Sequence, residues 1–181
     1  MMNTNHQKMI AESPFPSLRL NTLSDSQVEI GKPVNGADWQ MVVVYRGKHC
    51  PLCTQYLQQL EEMKNKFYNL GIGIIVISAD PAEKAVAHNQ EMKLSFPVAY
   101  GLSIEQMKTL GLYISNPRSS QETDRPFSEP GLFVINEKGQ VQLIDISNGP
   151  FARPELETLV FGLDFIRNPE NHYPIRGTYS D

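Results

Sequence analysis

The two cysteines of this 181-residue chain stand three positions apart, inside Tyr45-Arg46-Gly47-Lys48-His49-Cys50-Pro51-Leu52-Cys53. That spacing lets them close into a disulfide with each other and reopen as a dithiol. An apolar run, residues 41–45, leads into the stretch, and a helix-patterned segment leaves it. If the helix starts here, Cys50 is its N-cap, Pro51 its first residue and Cys53 its third. Pro51 suits that position, since its missing N–H would have no helical partner. A Cys50 thiolate would face unpaired backbone N–H groups and the positive end of the helix dipole. Such placement lowers a cysteine pKa from about 8.5 to roughly 3.5–7.5. Lys48 and His49 can add positive field. Cys53, one turn on, is expected on the same face, more buried and with the higher pKa. Cys50 then attacks, and Cys53 resolves the mixed disulfide or sulfenic acid.

Three plainer readings compete with redox chemistry. A structural disulfide closing so small a loop adds little stability. A zinc site needs four ligands, yet there is no second Cys-x-x-Cys, and His6, His49, His88 and His172 show no ligand spacing. Two inert thiols at a helix start are the third. Around the pair, Arg46 either reaches an oxyanion or the Cys50 thiolate, or merely caps the strand end. His49 either raises local positive charge or packs against the loop. Arg118 and Arg125, in a long polar loop, are read as solvated, with a lid role as the alternative. His88 and His172 receive no role.

The elements that would position this pair can be read in order. Residues 1–16 are a polar lead-in, expected to be loosely held. Residues 18–23 and 27–30 alternate and predict an edge hairpin around Ser24-Asp25. Residues 41–45 are continuous, β-branched and apolar, as in a strand buried on both faces. Tyr56, Leu57, Leu60, Met63, Phe67 and Leu70 recur at helical spacing, predicting an amphipathic helix that ends near Gly71. Residues 72–78 predict a second buried strand, so strand, helix and strand form a right-handed βαβ unit. Residues 81–92 read as a helix with Asp80 as N-cap and Pro81 first. Residues 96–100 are a short strand candidate and 104–110 a short helix. Residues 115–129 are polar and aperiodic, the length of a lid, binding loop or disordered insert. Residues 131–135 and 141–146 flank a Gly-containing turn and predict a hairpin. Arg153-Pro154 is expected to open a last helix through Ile166. The whole predicts an α/β fold, a central mixed sheet with helices on both faces. The expected division is a lead-in at 1–16, one domain at 17–166 and a tail at 167–181.

Composition excludes several classes. Sixteen Lys and Arg against 20 Asp and Glu give a net charge of −4, which offers nucleic acid or an anionic membrane no electrostatic footing. No apolar run approaches a membrane span. The N-terminal residues lack an apolar signal-like core, so a cytoplasmic, reducing compartment is the expectation.

The stretch from Val43 to Cys53 resembles the Tyr-Arg-Gly-x-x-Cys-Pro-x-Cys segment of peroxiredoxin-like proteins in the alkyl hydroperoxide reductase/thiol-specific antioxidant (AhpC/TSA) group. Residues 130–139 resemble the Pro-x-Thr-Phe-x-Ile-Asp-x-x-Gly segment of the same superfamily. The resemblance spans roughly residues 17–166. It implies a thioredoxin-like fold, with Pro130 as a cis-proline lying against the cysteines. It implies that Cys50 reduces a hydroperoxide, that Cys53 resolves it, that a dithiol such as thioredoxin regenerates the pair, and that no organic cofactor or metal takes part. A homodimer is possible on the same ground. Two departures stand out: Val43 and Gly47 occupy the places of the usual proline and threonine, and Pro130 the place of the usual arginine. The alternatives are a thiol–disulfide oxidoreductase acting on protein disulfides, and a redox-inert thioredoxin-fold binding module.

Overall fold

A computed structural model describes residues 8–180. Its centre is the parallel pair β3 (Trp39–Val44) and β4 (Ile72–Ile77), in register from Trp39 opposite Ile72 to Val44 opposite Ile77. Both strands are rich in β-branched residues, which suit a pleated surface buried on both sides. Alternate side chains go to opposite faces. Met41, Val43 and Tyr45 meet α1 (Pro51–Asn69), α4 (Leu156–Arg167) and Met92 at the end of α2 (Ala82–Met92) on one side. Val42 and Val44 face α3 (Ile104–Thr109) and the N-terminal segment on the other.

The sheet grows outward from that pair. On one flank β5 (Val98–Tyr100) runs parallel to β4, followed by the antiparallel hairpin of β1 (Leu18–Thr22) and β2 (Gln27–Ile30). On the other flank β8 (Gly131–Ile135) lies antiparallel to β3, with β9 (Val141–Ile146) outermost. The seven strands run β2-β1-β5-β4-β3-β8-β9. This is the mixed α/β sheet of the thioredoxin-like fold, with helices on both faces.

The differences from expectation have local causes. The short strand β5 starts at Val98, because Pro97 has no N–H for the ladder and contributes only its carbonyl, to Val76. Pro81, not Asp80, is the N-cap of α2; the Asp80 carboxylate is engaged elsewhere. Helix α4 begins at Leu156, capped by the Glu155 carboxylate on the N–H groups of Glu157 and Thr158, which leaves Arg153 and Pro154 ahead of it. Of the lead-in, residues 1–7 lie outside the described residues. From Met9 onward it is tied down: Glu12 N–H bonds to the Val141 carbonyl and Val141 N–H to that of Ser13, each at about 2.8–2.9 Å. Phe15 packs edge-on to Phe133 at 5.8 Å. The long polar segment is ordered as well. Its ends pair as β6 (Ile114–Ser115) and β7 (Phe127–Ser128), a two-stranded antiparallel sheet. Among the described residues no helix is long and apolar enough to cross a membrane.

Candidate active site

Cys50 and Cys53 form a disulfide across the first turn of α1, with Cα atoms 5.2 Å apart. Cys50 is the helix N-cap in extended conformation, Pro51 follows it, and the Cys53 N–H points at Cys50 Sγ at 3.2 Å. The sulfur at position 50 therefore sits where a helix N-terminus offers its free N–H groups. Burial departs from expectation. Cys50 is 1% exposed and Cys53 0%, so exposure does not separate the two thiols. Only Pro51 and Leu52 between them reach solvent.

The loop ahead of Cys50 is held by groups distant in sequence. Tyr45 N–H continues the ladder to the Ile77 carbonyl at 3.0 Å, and Cys50 N–H bonds to the Gly47 carbonyl at 3.2 Å. Between them the chain turns through Gly47 at φ +127°, a conformation that side-chain-bearing residues rarely adopt. Asp80, just beyond β4 and 3% exposed, accepts the Lys48 N–H at 2.7 Å. A Cβ on Gly47 would lie 2.8 Å from both Asp80 carboxylate oxygens. At the place where the resembled family carries threonine, a buried carboxylate fills the space a side chain would need.

Arg46 and His49 are both engaged by partners other than Cys50. The Arg46 side chain is 17% exposed and sits between two carboxylates, with Nε 3.2 Å from Glu129 Oε2 and Nη2 3.5 Å from Glu122 Oε1. Its guanidinium also lies 4.7 Å over the Phe127 ring. Arg46 thus ties the β6–β7 segment to the end of β3. His49 packs edge-on to the same ring at 4.5 Å. Burial first, and the Arg46 charge second, push its pKa below the ordinary value, so the imidazole is neutral at pH 7. Arg118 pairs with Glu122 and Arg125 with Asp124, both arginine side chains reaching solvent.

Pro130 departs from the cis expectation. The described residues contain no cis peptide bond, and the Glu129–Pro130 bond is trans, the isomer favoured by about 0.5–1 kcal/mol. Glu129 N–H bonds to the Tyr113 carbonyl at 2.8 Å and the Pro130 carbonyl accepts Ser147 N–H at 3.1 Å, so Pro130 leads straight into β8. It lines a small cavity with Val43, Tyr56, Asp145 and Arg153.

That cavity introduces a residue that periodicity and motif spacing did not reveal. Arg153 Nη2 lies 2.8 Å from Cys53 Sγ, and Nη1 is 3.5 Å from the Leu52 carbonyl. Its guanidinium stacks over Tyr56 at 5.0 Å, and the Tyr56 hydroxyl donates to the Pro154 carbonyl at 2.9 Å. Burial lowers the Arg153 pKa to about 10, which still leaves it charged at neutral pH. Only the basic residue type was visible in sequence; its partner lies 100 positions earlier. His88 was equally hidden. It is fully buried on α2, with Nε2 2.8 Å from Thr54 Oγ1, and that hydroxyl lies 3.3 Å from the Cys50 carbonyl. Its ring faces buried Tyr45 at 5.8 Å. Burial lowers the His88 pKa and raises that of Tyr45 to about 12.

Residues 11–144 match the AhpC/TSA family. No curated protein matches the chain. Several solved structures share its fold. Peroxiredoxin 6 of Arenicola marina superposes with a TM-score of 0.77 at 14% identity, over 90% of this chain and 75% of that one. The peroxidoxin BcpB of Mycobacterium tuberculosis gives 0.72 at 15%, over 88% and 99%. The 2-Cys peroxiredoxin of Plasmodium vivax gives 0.72 at 12%, over 95% and 92%.

Proposed function

The chain belongs to the AhpC/TSA family, and from the Cys50–Cys53 pair at the head of α1 we propose that it is a thiol-dependent peroxidase. One observation carries the reading: Cys50 caps a helix N-terminus and is bonded to the only other cysteine of the chain. In the reduced protein the Cys50 thiolate attacks one oxygen of a hydroperoxide. The O–O bond breaks, the other oxygen leaves as alkoxide or hydroxide and is protonated to alcohol or water, and Cys50 becomes a sulfenic acid. Cys53 then displaces the sulfenic hydroxide and the disulfide forms. A dithiol donor of the thioredoxin type returns the pair to thiols by exchange. The relatives named above are peroxiredoxins, which supports peroxide as substrate. A reducing, cytoplasmic setting and a homodimer fit the same reading. Because both sulfurs are buried when bonded, reduction requires the first turn of α1 to open, and Pro51 and Leu52 are where a protein donor would dock.

A second reading, thiol–disulfide exchange with protein disulfides, is favoured by the Gly47–Asp80 contact. That contact leaves no room for the hydroxyl that aligns peroxide in the resembled pattern.

The deciding measurements are hydrogen peroxide consumption with a thioredoxin-type donor, insulin disulfide reduction, and the pH profile of Cys50 alkylation, for wild type and Cys50→Ser. Peroxide turnover that Cys50→Ser abolishes is the expected result. Insulin reduction without peroxide turnover would select the second reading. Neither activity, with a free-cysteine alkylation profile, leaves a redox-inert binding module.

A further inference from the structure

Cys50 has the helix N-terminus to stabilise a thiolate; Cys53, inside the first turn, has no such end of its own. What it has is Arg153, whose Nη2 lies 2.8 Å from its sulfur. This arginine is unusual in its company. Among the described residues none of the ion pairs includes it; Arg46, Arg118, Arg125 and Arg167 each have a carboxylate, and Arg19 and Arg176, which have none, are exposed. It is partly buried, stacked over Tyr56 and steadied by the Leu52 carbonyl. A partly buried cation without an anion is costly unless one is supplied. In the disulfide the sulfur is a weak, uncharged acceptor. Reduction would turn the same atom into a full negative charge beside the guanidinium.

We propose that Arg153 is the positioning residue of the resolving step: it holds Cys53 as a thiolate after reduction, aimed at Cys50. This rests on the redox reading of the pair given above. The Cys53 thiolate attacks the sulfur of the Cys50 sulfenic acid; the S–S bond forms, the S–O bond breaks, and hydroxide leaves and is protonated to water. Both cysteines would thus be activated, Cys50 by backbone dipoles and Cys53 by a side-chain cation brought from the far end of the chain. Stabilising the dithiol state also makes the disulfide easier to reduce. The other charged or titratable groups facing Arg153 are Tyr56 on α1, Asp145 on β9, Glu129 ahead of β8 and Arg46 at the end of β3. Tyr56 stays protonated, its pKa raised to about 12 by burial, and so does not compete as the anion. Asp145 is raised by desolvation and makes no ion pair to Arg153.

The test isolates Cys53 in a Cys50→Ser background, where serine keeps the N-cap and titration is not coupled to a second thiol. Cys53 alkylation is followed against pH with Arg153, Arg153→Lys and Arg153→Met, and each variant is checked for an intact melting transition. The Cys53 midpoint should lie below the free value of about 8.5 with Arg153. It should rise by about one unit or more in Arg153→Met and return part of the way in Arg153→Lys. In the two-cysteine protein, at a pH above both Cys53 midpoints, Arg153→Met should make the disulfide about tenfold harder to reduce in a glutathione buffer, about 30 mV. A midpoint at or above the free value with Arg153 present, or one that Arg153→Met leaves unchanged, overturns the proposal. Neither readout uses peroxide, so loss of the peroxidase reading would appear separately as absent turnover with the Arg153 dependence intact.

Discussion

Replacing Gly47 by alanine tests how the cysteine loop is built. The new Cβ meets two costs. At φ +127° a side chain is strained, by about 1–2 kcal/mol or more. It would also stand 2.8 Å from both Asp80 oxygens, so the carboxylate must move and release the Lys48 N–H. A hydrogen bond to a charged group contributes about 1.5–3 kcal/mol. Together the loss is about 3–5 kcal/mol, a large share of the 5–15 kcal/mol that keeps a domain folded. For a chain of this size that lowers the melting temperature by about 6–20 °C. Urea unfolding of the oxidised protein, with unchanged slope, gives the number. A cycle with Asp80→Ala separates the parts. Where the carboxylate is already gone, Gly47→Ala should cost only the backbone strain, leaving a coupling of about 1.5–3 kcal/mol. If the two substitutions simply add, or if Gly47→Ala costs under about 1 kcal/mol, the carboxylate does not hold this loop.

Three further perturbations probe the surroundings. Arg46→Met strips the cation from Glu129, whose side chain is 6% exposed, while Glu122 keeps Arg118. Leaving that buried charge unpaired costs about 3–5 kcal/mol, and amide exchange across residues 114–128 should accelerate; unaltered exchange there would count against the clamp. Thr54→Val keeps the shape but removes the partner of His88 Nε2, for a loss of about 1–3 kcal/mol of unfolding free energy, read by urea denaturation. The fully buried His88 has a lowered folded pKa, so the unfolded chain takes up its proton more readily. Stability from this group is complete above the unfolded pKa of about 6.5 and declines as pH falls below it, by at most about 1.4 kcal/mol per pH unit. His88→Gln should flatten the melting-temperature profile between about pH 6.5 and 5.5, and equal slopes in both proteins would show that another group titrates there.

Neighbouring residues were enough to specify the local frame of the site. Pro51 at the first helical position, the apolar stripe of α1 and the β-branched runs of β3 and β4 each obey a short-range rule, so they were legible one window at a time. The Cys50–Cys53 pair followed from the same reading, because helix start and cysteine spacing are written in adjacent residues. Charge was another matter. Arg46 and His49, next to Cys50 in the chain, turned out to serve the β6–β7 segment and the Phe127 ring. The groups that touch the cysteine region, Asp80, His88 and Arg153, arrive from the end of β4, from α2 and from the approach to α4. Tertiary structure alone decided these, since β4 must lie parallel to β3 before Asp80 can reach Lys48. Likewise β8 and β9 must close the opposite flank before Arg153 can reach Cys53. Periodicity records which face of an element is buried, not which distant side chain it will be buried against.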